Sequence, residues 1–207
     1  MNKNYRLLER FLLRASCYLL PAICYFPLAS CNSNFVPKDR GYFAIPLPQH
    51  QYKSFDEPGY PYSFEMPVYA KVVKDTTFFE DKPENPWWIN IDFPQFNGRI
   101  YISYKDLVHN DFGKMVNDAF KMTYKHTSKA TSIEDSKIAT PNGVHGVFFK
   151  VGGNAATGQQ FFLTDSARHF LRGALYFDAT PNEDSLAPVS NFLREDLQHL
   201  INTFKWK

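Results

Sequence analysis

The positions of the cysteines constrain this chain most, because they show which part of it must fold without disulfides. All three, Cys17, Cys24 and Cys31, fall at the N-terminal end of the 207-residue sequence. A basic stretch leads into an uncharged apolar run over residues 15–28. A membrane-spanning helix needs about 20 apolar residues, so this run is too short, but it suits the apolar core of a secretory signal.

The end of that run gives the signal a specific form. Leu28-Ala29-Ser30-Cys31 resembles a bacterial lipobox, in which the cysteine receives diacylglycerol and becomes the new N-terminus. Residues 1–30 are therefore predicted to be a lipoprotein signal peptide, with lipidation at Cys31. The alternatives are an ordinary signal peptide cleaved elsewhere and a retained anchor. Pro21 and Pro27 disfavour the anchor because they interrupt a helix.

The chain after Cys31 contains no cysteine, so it must fold by burying apolar surface alone. A domain of about 150 residues buries roughly 70% of its unfolded surface, which is enough for an adequate core. The net charge is +2, and no long run of Lys and Arg is present. Nucleic acid is therefore not an expected partner.

Two regions follow the signal peptide. Residues 31–61 are rich in proline and aromatic residues and lack a helical or strand period, which predicts a lipid-anchored tether arm lying partly on the domain. A flexible linker is the alternative for this segment. Residues 62–207 are predicted to form one α+β domain.

The domain alternates strands with two helices. The clearest strands are residues 87–93 and 99–104, joined at Asn97-Gly98 as an antiparallel hairpin. A helix is predicted over residues 111–129 and another over 187–203, with Pro188 in its first turn. Further strands are predicted over residues 62–66, 131–138, 144–151, 159–165 and 169–179. The fold class is α+β, with an antiparallel sheet covered by helices.

No residue pattern indicates catalysis. The six histidines lack the spacing of metal ligands. Ser166 stands near Asp165 and His169, but neighbours at a strand end do not form a catalytic triad. The glycine-rich residues 152–158 lack the Lys and Ser/Thr of a phosphate loop, and a hairpin is the better interpretation. We therefore predict no enzyme activity, no catalytic residue, no metal and no cofactor.

Aromatic residues make up 17% of the chain, and two interpretations of them stay open. They can fill the core, with Phe148-Phe149 and Phe161-Phe162 each giving one ring to either face of the sheet. They can also form a binding surface, because Tyr and Trp are enriched at protein interfaces. The candidate partner-binding residues are Tyr42, Tyr52, Tyr60, Tyr62, Trp87 and Trp88.

Several longer runs together resemble the gliding-motility lipoprotein GldD family. These are residues 31–38, 41–43, 62–67, 170–177 and 181–189. The resemblance covers almost the whole chain after the signal peptide and implies a place in the cell-envelope machinery that moves surface adhesins, which is coupled to type IX secretion. The resemblance implies that Cys31 is the lipidated residue, and it implies no catalytic residue. The C-terminal third also resembles, more weakly, the αβα sandwich of PsbP-like and Mog1-like proteins.

These observations predict a lipid-anchored, non-catalytic accessory of the gliding and type IX export machinery that binds another envelope protein. The alternative is a periplasmic lipoprotein that binds a small apolar or glycan ligand. Asn32-Ser33-Asn34 after Cys31 contains no acidic run resembling a surface-export signal. The domain is therefore expected to face the periplasm, with the outer membrane favoured over the inner.

Overall fold

The largest element of the structure is an antiparallel sheet of seven strands. The computed structural model describes residues 44–75 and 83–207, and Ala44–Lys207 form one compact unit. The strands are β3 Lys71–Lys74, β4 Ile89–Phe93, β5 Gly98–Asp106, β6 Ala130–Ala139, β7 His145–Gly153, β8 Gln159–Thr164 and β9 His169–Phe177. Their order across the sheet is β3-β4-β5-β9-β8-β7-β6.

A second, three-stranded sheet brings together the two ends of the compact unit. It consists of β1 Tyr52–Phe55, β2 Tyr62–Pro67 and β10 Lys205–Trp206. β2 lies in the middle and pairs antiparallel with both neighbours. The last residues of the chain are therefore hydrogen-bonded to the start of the predicted domain.

The predicted hairpin at Asn97-Gly98 is confirmed as an antiparallel pair, but its turn is longer than two residues. Ile91 lies opposite Ile100, as the alternation requires. Pro94–Phe96 form a single 3-10 turn, and Asn97 takes the left-handed conformation with φ 47°. Asparagine tolerates that conformation better than most residues, and Gly98 then begins β5.

Helix α1 spans Phe112–Tyr124 and begins at a side-chain cap. The Asp111 carboxylate accepts a hydrogen bond from the Lys114 backbone N–H at 2.6 Å. The predicted helix continued to residue 129. Instead, the chain tightens into a 3-10 turn over Lys125–Ser128.

Helix α2 spans Glu183–Thr203 and starts before the predicted residue 187. The Asn182 side chain caps it by accepting from the Ser185 N–H at 3.0 Å, and acidic residues occupy its first turn, where the helix dipole favours them. Pro188 consequently lies inside the helix, and its expected place in the first turn is wrong. It leaves one i→i−4 hydrogen bond unmade.

The seven-stranded sheet buries a separate core on each face, so the predicted α+β class is confirmed. Phe148 and Phe161 pack on the face that carries α2 and the three-stranded sheet. Phe149 and Phe162 pack on the other face, with α1. The prediction that each pair gives one ring to either face is therefore confirmed.

The compact unit begins earlier than the domain boundary drawn from the sequence. Residues 44–61, assigned there to the tether arm, belong to the compact unit that starts at Ala44. β1 pairs with β2, and Phe55 of β1 lies buried opposite Phe64. Prolines hide this strand in the sequence, but its aromatic side chains bury enough apolar surface to hold it on the fold.

Candidate partner-binding surface

The predicted functional residues do not form one exposed surface. Cys31 and Tyr42 lie outside the described residues. Tyr62 and Trp88 are buried core residues, with exposures of 0% and 7%. The Tyr62 hydroxyl donates to the Trp87 carbonyl, and the Trp88 indole N–H donates to the Tyr104 carbonyl at 2.7 Å. Both side chains stabilise the domain from within, and neither presents a ring to a partner.

Tyr60 and Trp87 are half-buried and lie next to each other at one end of the three-stranded sheet. The Trp87 indole N–H donates to the carbonyl of Gly59, the residue before Tyr60, at 2.7 Å. The Tyr60 ring meets Phe55 edge-on with ring centroids 5.3 Å apart, and burial raises its pKa. These two side chains each keep part of the ring accessible, which is the geometry expected of an aromatic contact residue.

Tyr52 belongs to a different arrangement, which fastens the arm to helix α2. Asp196 of α2 is 2% exposed and accepts three hydrogen bonds from other parts of the chain. His50 Nδ1 lies 2.7 Å from the carboxylate, the Tyr52 hydroxyl donates to it at 3.2 Å, and the Tyr69 hydroxyl donates to its second oxygen. We call these four residues the Asp196 cluster.

Ring stacking reinforces the Asp196 cluster. The Tyr52 ring lies flat on His199 with centroids 3.5 Å apart, and His50 stacks on Phe192 at 4.3 Å. Burial, with the charge and hydrogen bond of Asp196, raises the pKa of Tyr52 to about 12. The same causes raise the pKa of Tyr69, so both phenols remain donors at neutral pH.

The Asp196 cluster places a histidine beside a buried carboxylate. A histidine beside a buried carboxylate can act as a general base when its second nitrogen faces a substrate cleft. Here His50 Nε2 lies 3.1 Å from Glu195, so both ring nitrogens have carboxylate neighbours. The arrangement joins residues 50–52 to α2.

Sequence reasoning missed the Asp196 cluster, although one signal pointed to it. Asp196 occupies the apolar stripe of α2, between the buried Leu193 and Leu200. A buried carboxylate at a core-facing position requires hydrogen-bond donors from other parts of the chain. Its partner His50 is 146 residues away along the chain, and no local pattern reveals that pairing.

The loop holding Ser166 and His169 is also structural. The Asp165 carboxylate accepts from the backbone N–H groups of Ala167, Arg168 and His169 at 2.8–3.0 Å. Burial opposes ionisation of Asp165, but these bonds leave its pKa below the usual value. His169 Nδ1 lies 2.6 Å from the Tyr104 hydroxyl. Asp165 is thus used in closing the loop.

Several recesses border the seven-stranded sheet, and two of them lie beside a helix and the β7–β8 strand pair. A cavity of about 100 Å³ lies between the β7–β8 loop and the start of α2, where the Asn154 side chain accepts from the Glu183 N–H at 3.0 Å. An open groove of about 530 Å³ runs beside α1 and is lined mainly by apolar side chains. These include Phe112, Val116, Phe120, Val147 and Phe162.

The described residues offer no candidate for a metal site or a membrane-spanning helix. Within residues 44–75 and 83–207, no three His, Cys, Asp or Glu side chains gather as metal ligands. Neither described helix has the length and apolar character to cross a membrane.

Comparison with known proteins decides the family. The family model for gliding motility lipoprotein GldD matches residues 32–206. The chain belongs to the GldD lipoprotein family. The resemblance seen in the sequence is thereby confirmed, and membership implies a lipoprotein of the cell envelope that is associated with gliding motility. No curated protein matches the chain.

Solved structures show only distant likeness. One is the solution structure of cyanobacterial PsbP (CyanoP) from Synechocystis sp. PCC 6803, which is 9% identical in sequence. The alignment covers 87% of this chain and 99% of the CyanoP chain, with a TM-score of 0.44. The Ran-binding protein Mog1p of Saccharomyces cerevisiae is 9% identical and covers 76% of this chain and 96% of its own, with a TM-score of 0.45. At these scores, the fold class rests on the strands and helices described above.

Proposed function

We propose that this chain is a lipid-anchored, non-catalytic accessory of the gliding-motility and type IX protein-export machinery, and that it holds another envelope protein. The observation that carries the proposal is the family match, which starts at residue 32, directly after the predicted acylated Cys31. A diacylglyceryl cysteine supplies two acyl chains, and two chains anchor a protein stably where one does not.

The use of polar side chains in the compact unit supports a non-catalytic role. His50, Tyr52 and Tyr69 are bound to the buried Asp196, and Asp165 is bound to the backbone of its own loop. Buried polar groups with such partners stabilise one conformation. These acid–base groups are thus engaged in structure.

The Asp196 cluster also limits how far the domain reaches from its anchor. It fixes the arm at His50, so the chain between Cys31 and His50 sets the reach, at most about 65 Å when fully extended. We propose that the domain faces the periplasm, with the outer membrane favoured over the inner.

We propose that Tyr60 and Trp87 contact the partner. Tyr42 and Tyr52, which belong to the arm, are proposed to extend this contact. Tyr62 and Trp88 support that surface from beneath, since both are buried. Binding energy concentrates in a few Tyr, Trp and Arg residues, which cost about 2 kcal/mol or more when cut to alanine. The tip of the β7–β8 loop offers only small side chains and lacks such anchors.

Alanine variants separate partner binding from packing. Tyr60→Ala and Trp87→Ala should abolish gliding or adhesin export while the melting temperature of the domain stays near that of wild type. Tyr124→Ala is the matched control, because Tyr124 is an exposed tyrosine on α1. Normal gliding in the folded Tyr60 and Trp87 variants would show that these rings only pack the arm.

Lipidation has its own test. Cys31→Ala should block incorporation of labelled palmitate and leave a larger, unprocessed precursor. Normal labelling of that variant would refute the assignment of Cys31.

The groove beside α1 favours a second candidate, binding of a small apolar ligand. Its volume of about 530 Å³ and its apolar lining match those of ligand sites. Protein purified from membranes should then carry one apolar compound, detectable by extraction and mass spectrometry. Val116→Phe should fill the groove and remove the compound. An empty wild-type protein would exclude this candidate.

A further inference from the structure

The longest strand of the structure forms an uncovered edge of the seven-stranded sheet. β6 pairs with β7 on one side only, and it ends the strand order. None of its residues, Ala130–Ala139, is buried. Among the described residues, no backbone hydrogen bond joins its outer side to another element. Such an edge presents a row of N–H and C=O groups to which another strand can pair.

The edge is regular over most of its length. A register shift separates Ala130 from Ser132, and β6 then pairs residue by residue with β7 up to Ala139. No proline or glycine interrupts the strand. β3, at the opposite edge of the sheet, has only four residues. β6 is thus the edge better suited to strand addition.

The charges on β6 differ in whether they already have partners. Glu134 is paired with Lys150 of β7 at 3.5 Å. Asp135 and Lys137 point to the same face of the sheet, two positions apart, and neither forms an ion pair within the described part of the chain. An added strand with the reverse order of charges would pair with both.

A second copy of β6 supplies that order. A two-fold axis pairs identical strands antiparallel. The axis must pass between two copies of the same residue. If it passed between neighbouring residues, two successive pairs would be identical by symmetry, whereas hydrogen-bonded and non-hydrogen-bonded pairs alternate. An axis at Ser136 puts Asp135 opposite Lys137 twice. An axis at Asp135 or Lys137 puts like charges opposite each other, which is destabilising.

We propose that two copies of this chain join through the outer edges of β6, antiparallel, with Ser136 on the two-fold axis. The two seven-stranded sheets then become one continuous sheet. The axis stands perpendicular to that sheet, so the two three-stranded sheets, each containing β1, lie on the same face of it. Asp135 and Lys137 select this register over its neighbours.

Crosslinking of the full acylated chain in intact cells tests the proposal. Ser136→Cys places a thiol opposite its own copy, in a chain whose natural cysteines all precede residue 32. A short thiol-specific crosslinker should give a covalent dimer at least tenfold more abundant than with Ser132→Cys. In the proposed register, the two thiols of that control lie about 26 Å apart.

Charge exchange tests the register. In the Ser136→Cys background, Asp135→Lys or Lys137→Asp alone should reduce the dimer at least fivefold, and the two together should restore it. Melting temperatures near wild type would show that the variants fold. Three outcomes overturn the proposal: a dimer no more abundant than in the control, a dimer indifferent to charge reversal, or crosslinking to a different protein only.

Discussion

Removing the Asp196 carboxylate should weaken the domain more than its single position suggests. Asp196→Ala leaves the Tyr52 and Tyr69 hydroxyls and the His50 ring without their acceptor. A buried donor left unsatisfied costs about 1–3 kcal/mol. All three donors are half-buried, so water can replace part of the lost bonding. We therefore expect a loss of about 3 kcal/mol in the free energy of unfolding.

That loss is large enough to measure in two independent ways. For a domain of this size, about 3 kcal/mol lowers the melting temperature by roughly 6–12 °C. Urea denaturation of the compact unit Ala44–Lys207 should show the same loss with an unchanged slope. Hydrogen exchange should quicken most around His50, because the arm is released from α2 before β1 leaves β2.

The adjacent residue gives a matched control. Glu195 lies on the same turn of α2, but its side chain is 67% exposed, and it pairs with His50 Nε2 at 3.1 Å. Glu195→Ala should change stability by less than about 1 kcal/mol, as for most surface ion pairs. Asp196→Asn keeps one acceptor oxygen and should fall between the two. Equal melting temperatures for Asp196→Ala and Glu195→Ala would refute the role given to the buried carboxylate.

Three further predictions concern the core and its pH dependence. Leu197→Asp should unfold the domain, as measured by circular dichroism, because Leu197 is fully buried. A melting curve like that of wild type would show that α2 does not pack in the core. Gly173→Ala should cost roughly 1–3 kcal/mol in urea denaturation, since the added Cβ would lie 2.2 Å from the Phe161 ring; an unchanged midpoint would contradict that packing. Burial lowers the pKa of His169 in the folded state, so the unfolded chain binds its proton first as the pH falls below about 6.5. The free energy of unfolding should therefore decrease from pH 7 to pH 5, and His169→Gln should make that decrease smaller. An equal decrease in both proteins would show that other groups cause it.

The sequence predicts the local elements of the fold well, because short-range patterns determine them. Alternation along residues 87–93 and 99–104 depends on which side chains face the core, and the structure pairs β4 with β5 as expected. Helix ends are less predictable. Pro188 predicts a first turn at residue 187, but the cap at Asn182 starts the helix earlier, since a proline costs one hydrogen bond but does not prevent a well-capped helix from forming.

Strand order and the Asp196 cluster could not be predicted, because they depend on contacts between distant residues. β9 inserts between β5 and β8, and nothing in the sequence of β5 specifies that neighbour. Tyr62 and Trp88 illustrate the same limit for the binding surface. Their residue types suit an interface as well as a core, and only the fold shows that both are buried.

Photo-crosslinking at the proposed contact tests the central claim most directly. A photoreactive amino acid replaces Trp87 in the acylated chain of gliding cells, and Tyr124 is replaced in a parallel strain as the control. After irradiation, mass spectrometry identifies what is bound. The account predicts components of the motility or secretion machinery linked from position 87 and absent from position 124. Recovery of no protein at position 87, or of the same proteins from both positions, would contradict it.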